Sequence, residues 1–417
     1  MKKKFDIVLF FILILLSSCS TFRAIKNGNP TIDDYNVFVQ DTVHNSSKVF
    51  SFAELPHEER RLNTLPVDVY FTKSDTMKQM TLTEMLEYTA KPAAAIIIKN
   101  DTIIYEHYSG GLNKSSQTTV FSVTKTITSI LCGIALKDGY IESVKDPVTK
   151  YIPELKKKDK MFQQLTIEHL LDMSAGLKFE ESYSFNPFSK IAELYYGDNT
   201  LKTICSMKFI STPGERYHYD SMTTAILGLV IERATGIPYA KYLSDNVWQP
   251  LGMEQSATIS LDSKKSHTAK SYAGLTTNVR DLAKIGRLYI NNGNWNGLQI
   301  VDSAYVERSH SKNVVGKNNG TYSYSWYWGT YDHKKFDDMD SLYDYYKSVP
   351  DVEVCGANRS RTTGKYKAIL HRGGFWAYGL YGQVLYVNPQ KNIIAVYLGG
   401  DRIEDYYNIF DRLLEQL

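Results

Sequence analysis

The sequence predicts an α/β fold of the α+β kind, with an antiparallel sheet flanked by helices and a mostly helical inserted domain. Three observations carry this. Ala93 to Lys99 is strongly apolar, Asn100-Asp101 turns the chain, and Thr102 to Tyr108 returns as a second strand. Near the other end, Gln383 to Val387 and Ile393 to Leu398 read as strands joined at Asn388-Pro389. Between them, about Asp146 to Asn291 is mostly helical in period. Strands first and last, with helices between, fit one sheet built from both chain ends better than two sequential domains.

Taken in order, the chain opens on a targeting segment, residues 1–18. Lys2-Lys3-Lys4 is a basic start, and Phe5 to Leu16 is nearly continuous apolar sequence, broken by Asp6 and too short to span a bilayer comfortably. Leu16-Ser17-Ser18-Cys19 follows and resembles the lipobox of bacterial lipoproteins. The resemblance implies that Cys19 is lipidated and becomes the first residue of the mature protein, which is then tethered to a membrane through its lipid. An ordinary secretory signal with an incidental cysteine is the alternative. The expected location is the cell envelope, on the periplasmic side. Ser20 is not the aspartate associated with inner-membrane retention, which makes the outer membrane the default.

Residues 19–75 read as a tether and an N-terminal strap. Ser20 to about Pro30 is polar and expected to be flexible, and Asp34 to Leu55 carries short apolar runs suited to packing along the main body. Leu82 to Thr89 is helical in pattern and ends at Lys91-Pro92. After the first hairpin, Gly110-Gly111 closes the strand, and an apolar helix starts near Ser122 and stops around Asp138-Gly139. Thr166 to Met173 is a short amphipathic helix entered through Thr166. Thr223 to Ala234 and Val279 to Asn291 are apolar helices, each followed by a glycine. Asp401 to Leu417 is expected to close the chain as an amphipathic helix.

Composition narrows the function. The 48 Lys and Arg nearly balance the 45 Asp and Glu, for a net charge of +3, which gives no reason to invoke nucleic acid. The 31 tyrosines are read as compositional bias. Cys132, Cys205 and Cys355 are too sparse for a disulfide framework. No His/Cys cluster has zinc spacing, and neither metal nor organic cofactor is expected.

The chemistry concentrates at Ser122-Val-Thr-Lys125, with the apolar run Thr126 to Leu136 behind it. This puts a hydroxyl at a helix start and an amine one turn further on, on the same side. Apolar surroundings disfavour an ammonium and lower its pKa, so the amine can take the serine's proton. The same pattern recurs at Ser309-His-Ser-Lys312. That copy lies in polar sequence without an apolar helix after it, and is read as surface.

Two further stretches supply what a Ser–Lys site needs. Tyr219, in Thr212-Pro-Gly-Glu-Arg-Tyr-His-Tyr-Asp-Ser221, is the last aromatic before an apolar helix, and Ser221 can reach the same cleft. A phenol beside an ammonium can act as base or relay. His371-Arg-Gly-Gly374 precedes the late strands, and glycines there let a strand approach a ligand closely.

The three motifs together resemble the serine β-lactamase-related hydrolases of the class C type. These include class C β-lactamases, D-alanyl-D-alanine carboxypeptidases, esterases and nylon-oligomer hydrolases. Their Ser-x-x-Lys, Tyr-x-Asn and Lys/His-x-Gly are matched by Ser122-Val-Thr-Lys125, Tyr219-Asp-Ser221 and His371-Arg-Gly373. Flanking stretches are similar too, among them Thr166-Ile-Glu-His-Leu-Leu171, Leu227 to Gly236, Pro250-Leu-Gly-Met253 and Asp281 to Gly286. The likeness runs from about Leu82 to Leu417. It implies the β-lactamase/transpeptidase-like fold over 76–417, with the helical insertion at about 146–291. It also implies Ser122 as nucleophile, Lys125 as base and Tyr219 as proton handler, with an amide or ester as the small-molecule or peptide substrate. The backbone N–H of Ser122 and one from the late strand would form the oxyanion hole.

Two departures bear on the substrate. Ser221 stands where β-lactamases place an asparagine that holds the acyl side chain, which speaks against β-lactam hydrolysis. The third motif fits two registers, His371 with Gly373, which is preferred, or Ala377-Tyr378-Gly379. D-Ala-D-Ala carboxypeptidase and β-lactamase activity stay open as alternatives. So does a catalytically silent envelope module that binds penicillin or peptide.

Overall fold

The computed structural model describes residues 19–400 apart from 61, 63–65, 72–75, 90–91, 183, 313–320, 351 and 361–362. The expected signal segment and the expected closing helix over 401–417 lie outside the described residues.

Eleven elements frame the site. They are helices α1 (Cys19–Asn27), α2 (Leu82–Thr89), α3 (Val123–Lys137), α4 (Lys190–Tyr196), α5 (Ser221–Thr235) and α6 (Val279–Ile290), and strands β1 (Ala93–Lys99), β2 (Thr102–Ser109), β3 (Phe375–Gly379), β4 (Gln383–Asn388) and β5 (Ile393–Gly399). The central sheet runs Tyr322–Ser323, Trp326–Tyr327, β3, β4, β5, β1, β2, Ala53–Glu54. The two chain ends meet in its middle, where β5 pairs antiparallel with β1 from Ile393 opposite Lys99 to Gly399 opposite Ala93. Only the Ala53–Glu54 edge runs parallel to its neighbour. The β1–β2 hairpin turns on Asn100 and Asp101, at φ 50° and 58°, as its two-residue turn requires.

β1 and β5 are continuously apolar because both faces of the sheet are covered. Ala94, Ile96 and Ile98 of β1, with Ile394, Val396 and Leu398 of β5, join the main core shared with α3, α5 and α6. The alternate residues, Ala93, Ala95 and Ile97 with Ile393, Ala395 and Tyr397, pack against Leu82, Met85 and Leu86 of α2. Gly286 of α6 lets that helix come close, since a Cβ there would lie 2.7 Å from Ile394.

Three features differ from the sequence expectations or go beyond them. Residues 19–27, expected as part of a flexible tether, form α1 and pack on α4. Thr21 and Ala24, one turn apart, are buried, so small side chains at helical spacing seat the segment. The strap contributes a strand, Gln40–Val43, to a four-stranded sheet with Ala257–Ser260, Leu275–Thr277 and Thr118–Thr119. A separate three-stranded sheet, Thr330–Phe336, Tyr366–His371 and Glu353–Arg359, carries the helix Met339–Lys347 over its own small core.

Candidate active site

The site is built at the start of α3. Ser122 holds the N-cap position and spends no side-chain hydrogen bond on the helix. Phe121, just before it, has φ 45°, a strained conformation for a bulky residue. The turn is braced by Val120, whose N–H donates to Leu275 O at 2.9 Å, and by the Phe121 ring, edge-on to Tyr381 at 5.7 Å.

Lys125 lies one turn along α3 and is only 1% exposed. Its Nζ donates to Ser122 Oγ at 2.8 Å, Ser221 Oγ at 3.0 Å and the carbonyl of Tyr272 at 3.0 Å. Burial pulls its pKa down to about 8, against the opposing pull of the Glu181 and Asp220 carboxylates.

Ser221 is the first residue of α5, placed by Asp220, which caps that helix by accepting from Thr223 N–H and Oγ1. Burial raises the Asp220 carboxyl to about 6. The backbone N–H and the Oγ of Ser221 both donate to Glu181, each at 2.8 Å. This settles the polarity of the network. The Ser221 proton is committed to a carboxylate, so toward Lys125 its oxygen can only accept. The Tyr272 carbonyl can only accept as well. When Lys125 is neutral, its two N–H bonds therefore go to Ser221 and Tyr272, and its lone pair is directed at the Ser122 hydroxyl.

Tyr219 joins the same cluster. Its ring centroid is 5.1 Å from Lys125 Nζ, and the ring packs on Tyr322 at 6.0 Å and Tyr327 at 6.2 Å. Ser122, Lys125, Tyr219 and Ser221 are thus brought together from two helices and the turn before the second.

The remaining predicted residues are placed differently from one another. Gly379, at the end of β3, passes so close to the segment entering Ser122 that a Cβ would sit 2.5 Å from Val120 O. Along β3, Phe375 and Ala377 face the α3 side, whereas Trp376 and Tyr378 pack on the α2 side of the sheet. The Tyr378 side chain therefore turns away from the α3 face. His371 ends the middle strand of the three-stranded sheet opposite Glu353, with Nδ1 2.8 Å from Trp328 O and its ring stacked on Trp328 at 4.0 Å. Burial lowers its pKa. Gly373 has φ 81° and lies against Gln390. Neither His371 nor Gly373 lines the cavity that opens at Ser122.

The second Ser-x-x-Lys copy is not wholly surface. Ser309 is buried at the end of the helix Ser303–Ser309 and donates to Val306 O at 2.7 Å, while Lys312 pairs with Glu353 at 3.5 Å. Among the described residues no group of three or more His, Cys, Asp or Glu could hold a metal ion. Glu181 escaped sequence reading. It lies in a loop 40 residues before its partner Ser221, and the adjacent acidic pair Glu180-Glu181 was its only signal.

An antiparallel sheet between helical layers, with a serine at a helix start and a buried lysine one turn on, is the arrangement of the β-lactamase fold, and the family match and a named hydrolase relative make the chain a serine hydrolase of that fold. Comparison gives the family. A model described as Beta-lactamase matches residues 77–404, and the chain belongs to that family. The 6-aminohexanoate-dimer hydrolase of Paenarthrobacter ureafaciens is 26% identical over 295 residues, covering 67% of this chain and 72% of that protein. A Bacillus anthracis structure assigned by its name to the 6-aminohexanoate-dimer hydrolases superposes with a TM-score of 0.71 at 20% identity, over 93% of both chains. A class C β-lactamase variant superposes with a TM-score of 0.55 at 13% identity, over 80% of this chain and 94% of that one.

Proposed function

We propose that this serine hydrolase cleaves an amide or ester bond through an acyl-enzyme on Ser122. The observation that carries the reading is the contact of Lys125 Nζ with Ser122 Oγ at 2.8 Å, in a site where burial brings the lysine to about 8. Neutral Lys125 takes the hydroxyl proton as Oγ attacks the carbonyl carbon. The oxyanion is received by the Ser122 N–H, one of the N–H groups without an intrahelical partner at a helix start, and by a β3 N–H beside it. As the bond to the leaving nitrogen or oxygen breaks, the proton passes from Lys125 through the Tyr219 phenol to that atom. Water then attacks the acyl carbon, gives its proton to the Lys125–Tyr219 pair, and Ser122 leaves with a proton returned from it. Glu181 acts on this chemistry through Ser221, as a positioning residue that keeps the lysine lone pair on Ser122.

The similarity to the 6-aminohexanoate-dimer hydrolase favours a linear amide or ester, and Ser221 in place of asparagine is a reason to rank β-lactams lower. The test is incubation with a labelled penicillin, a p-nitrophenyl ester and a D-Ala-D-Ala peptide, with mass spectrometry of the Ser122 adduct. Ser122→Ala is expected to abolish turnover and labelling by a fluorophosphonate. Full retention of both overturns the reading.

We further propose that Cys19 carries the lipid that holds the protein at the envelope. Metabolic labelling with a fatty-acid analogue is expected to mark the wild type and to miss Cys19→Ser. Equal labelling of both contradicts it.

A further inference from the structure

A cavity of about 350 Å³ opens at Ser122, and beyond Ser221, Glu181 and Tyr272 its walls lie outside the Lys125 network. Ser122 and Ser221 both line it, with a mostly apolar wall that includes Ala24, Ile191, Ala192 and Leu380 and a neutral polar rim from Asn29, Asn186 and Ser189. The volume is at the lower end of the ~300–1,000 Å³ typical of small-ligand sites.

Two features of the lining decide what it accepts. The first is charge. Glu181 is the one charged residue among the described residues that line it, and no Lys, Arg or His does. Lys125 lies beneath the two serines, buried, with its donors already directed to Ser122, Ser221 and Tyr272. A carboxylate entering here would lose its hydration, face the Glu181 carboxylate and meet no cation. A neutral apolar group loses nothing of the kind and gains burial. The second is position. Ser221 borders the cavity and Tyr219 does not. In the proposed mechanism Tyr219 serves the leaving group, so the cavity lies on the acyl side of the scissile bond.

The far wall comes from α1 and the residues after it. Ala24 is fully buried there, and Tyr196 of α4 fixes the segment by donating its hydroxyl to Gly28 O at 2.8 Å. The start of the described chain thus shapes a pocket that the Ser–Lys–Tyr motifs alone would leave open.

We infer that this cavity is an acyl pocket for an uncharged, apolar acyl group, walled by α1 and α4, and that it selects against acyl groups ending in a carboxylate. This rests on Ser122 as the nucleophile. The test is a kcat/KM series with the purified full-length protein on p-nitrophenyl acetate, butyrate, pentanoate and hexanoate, with the p-nitrophenyl monoester of glutarate as the anionic counterpart of the pentanoate. Each methylene that enters the pocket is expected to raise kcat/KM about fourfold, and glutarate is expected to fall at least tenfold below pentanoate. Ala192→Trp, which fills the cavity, is expected to lower the hexanoate-to-acetate ratio about tenfold. A flat or falling chain-length series, or glutarate equal to pentanoate, with turnover still lost in Ser122→Ala, overturns the pocket and leaves the nucleophile standing. Turnover that survives Ser122→Ala overturns both.

Discussion

Glu181 is joined twice to Ser221, accepting its backbone N–H and its hydroxyl at 2.8 Å each. The first bond holds the start of α5 and the second decides which way the Ser221 proton points. Through that choice a carboxylate bonded to Ser221 governs the direction of the Lys125 lone pair. Glu181→Gln can donate to Ser221 Oγ instead of accepting from it, which frees the serine proton to compete for the lysine. The substitution also removes a charge that holds the Lys125 pKa up. The inflection in kcat/KM against pH is therefore expected to move to lower pH while the plateau falls. A residue that merely braced α5 would lower the plateau and leave the inflection in place.

Lys125 must be neutral to act as base, so wild-type kcat/KM is expected to rise with pH and level off above about 8. Lys125→Arg keeps a positive charge that cannot be given up. Steady-state assays of that variant should show a loss of about 10²–10⁴ in kcat with no recovery at high pH.

Tyr219→Phe keeps the ring against Tyr322 and Tyr327 and removes only the hydroxyl. Rapid-quench mass spectrometry is expected to show the acyl adduct persisting, with turnover slowed about 10²-fold. Unchanged decay of the adduct would remove Tyr219 from the proton path.

Gly379→Ala places a methyl where Val120 O already lies, 2.5 Å from the new carbon. β3 must shift from the segment that enters Ser122. A displacement near 1 Å at a reacting centre can cost about 10²-fold in rate. The expected result is a loss of that order in kcat, with a much smaller change in Tm.

Gly286→Ala is the counterpart far from the chemistry. The new methyl would press on Ile394 at 2.7 Å and force α6 off the sheet. Overpacking of this kind costs about 1–3 kcal/mol, readable as a lowered denaturation midpoint.

The hairpin of β1 and β2, the late strands and the long helices were legible because their period and turn residues agree with their burial. Ser122 and Lys125 were legible because one helical turn links them in sequence as in space. The polar segment after Cys19 read as a tether because only Thr21 and Ala24 of its first helix are buried, and its hydrogen-bond partner Tyr196 of α4 lies about 170 residues away in sequence, a contact that no local pattern encodes. The three-stranded sheet that ends at His371 was not foreseen, because its strands are partly exposed, lack a continuous apolar run, and are interrupted by a helix after the first. Glu181 was hidden for the same reason in sharper form: its meaning lies wholly in Ser221, 40 residues away.

The central claim is that Ser122 carries the acyl group. Rapid quenching during turnover of p-nitrophenyl butyrate, followed by peptide mapping, tests it most directly. The account predicts a butyryl adduct on the peptide bearing Ser122 that forms and decays at rates compatible with kcat and is absent from Ser122→Ala. An adduct on any other residue, or undiminished turnover in Ser122→Ala, would contradict it.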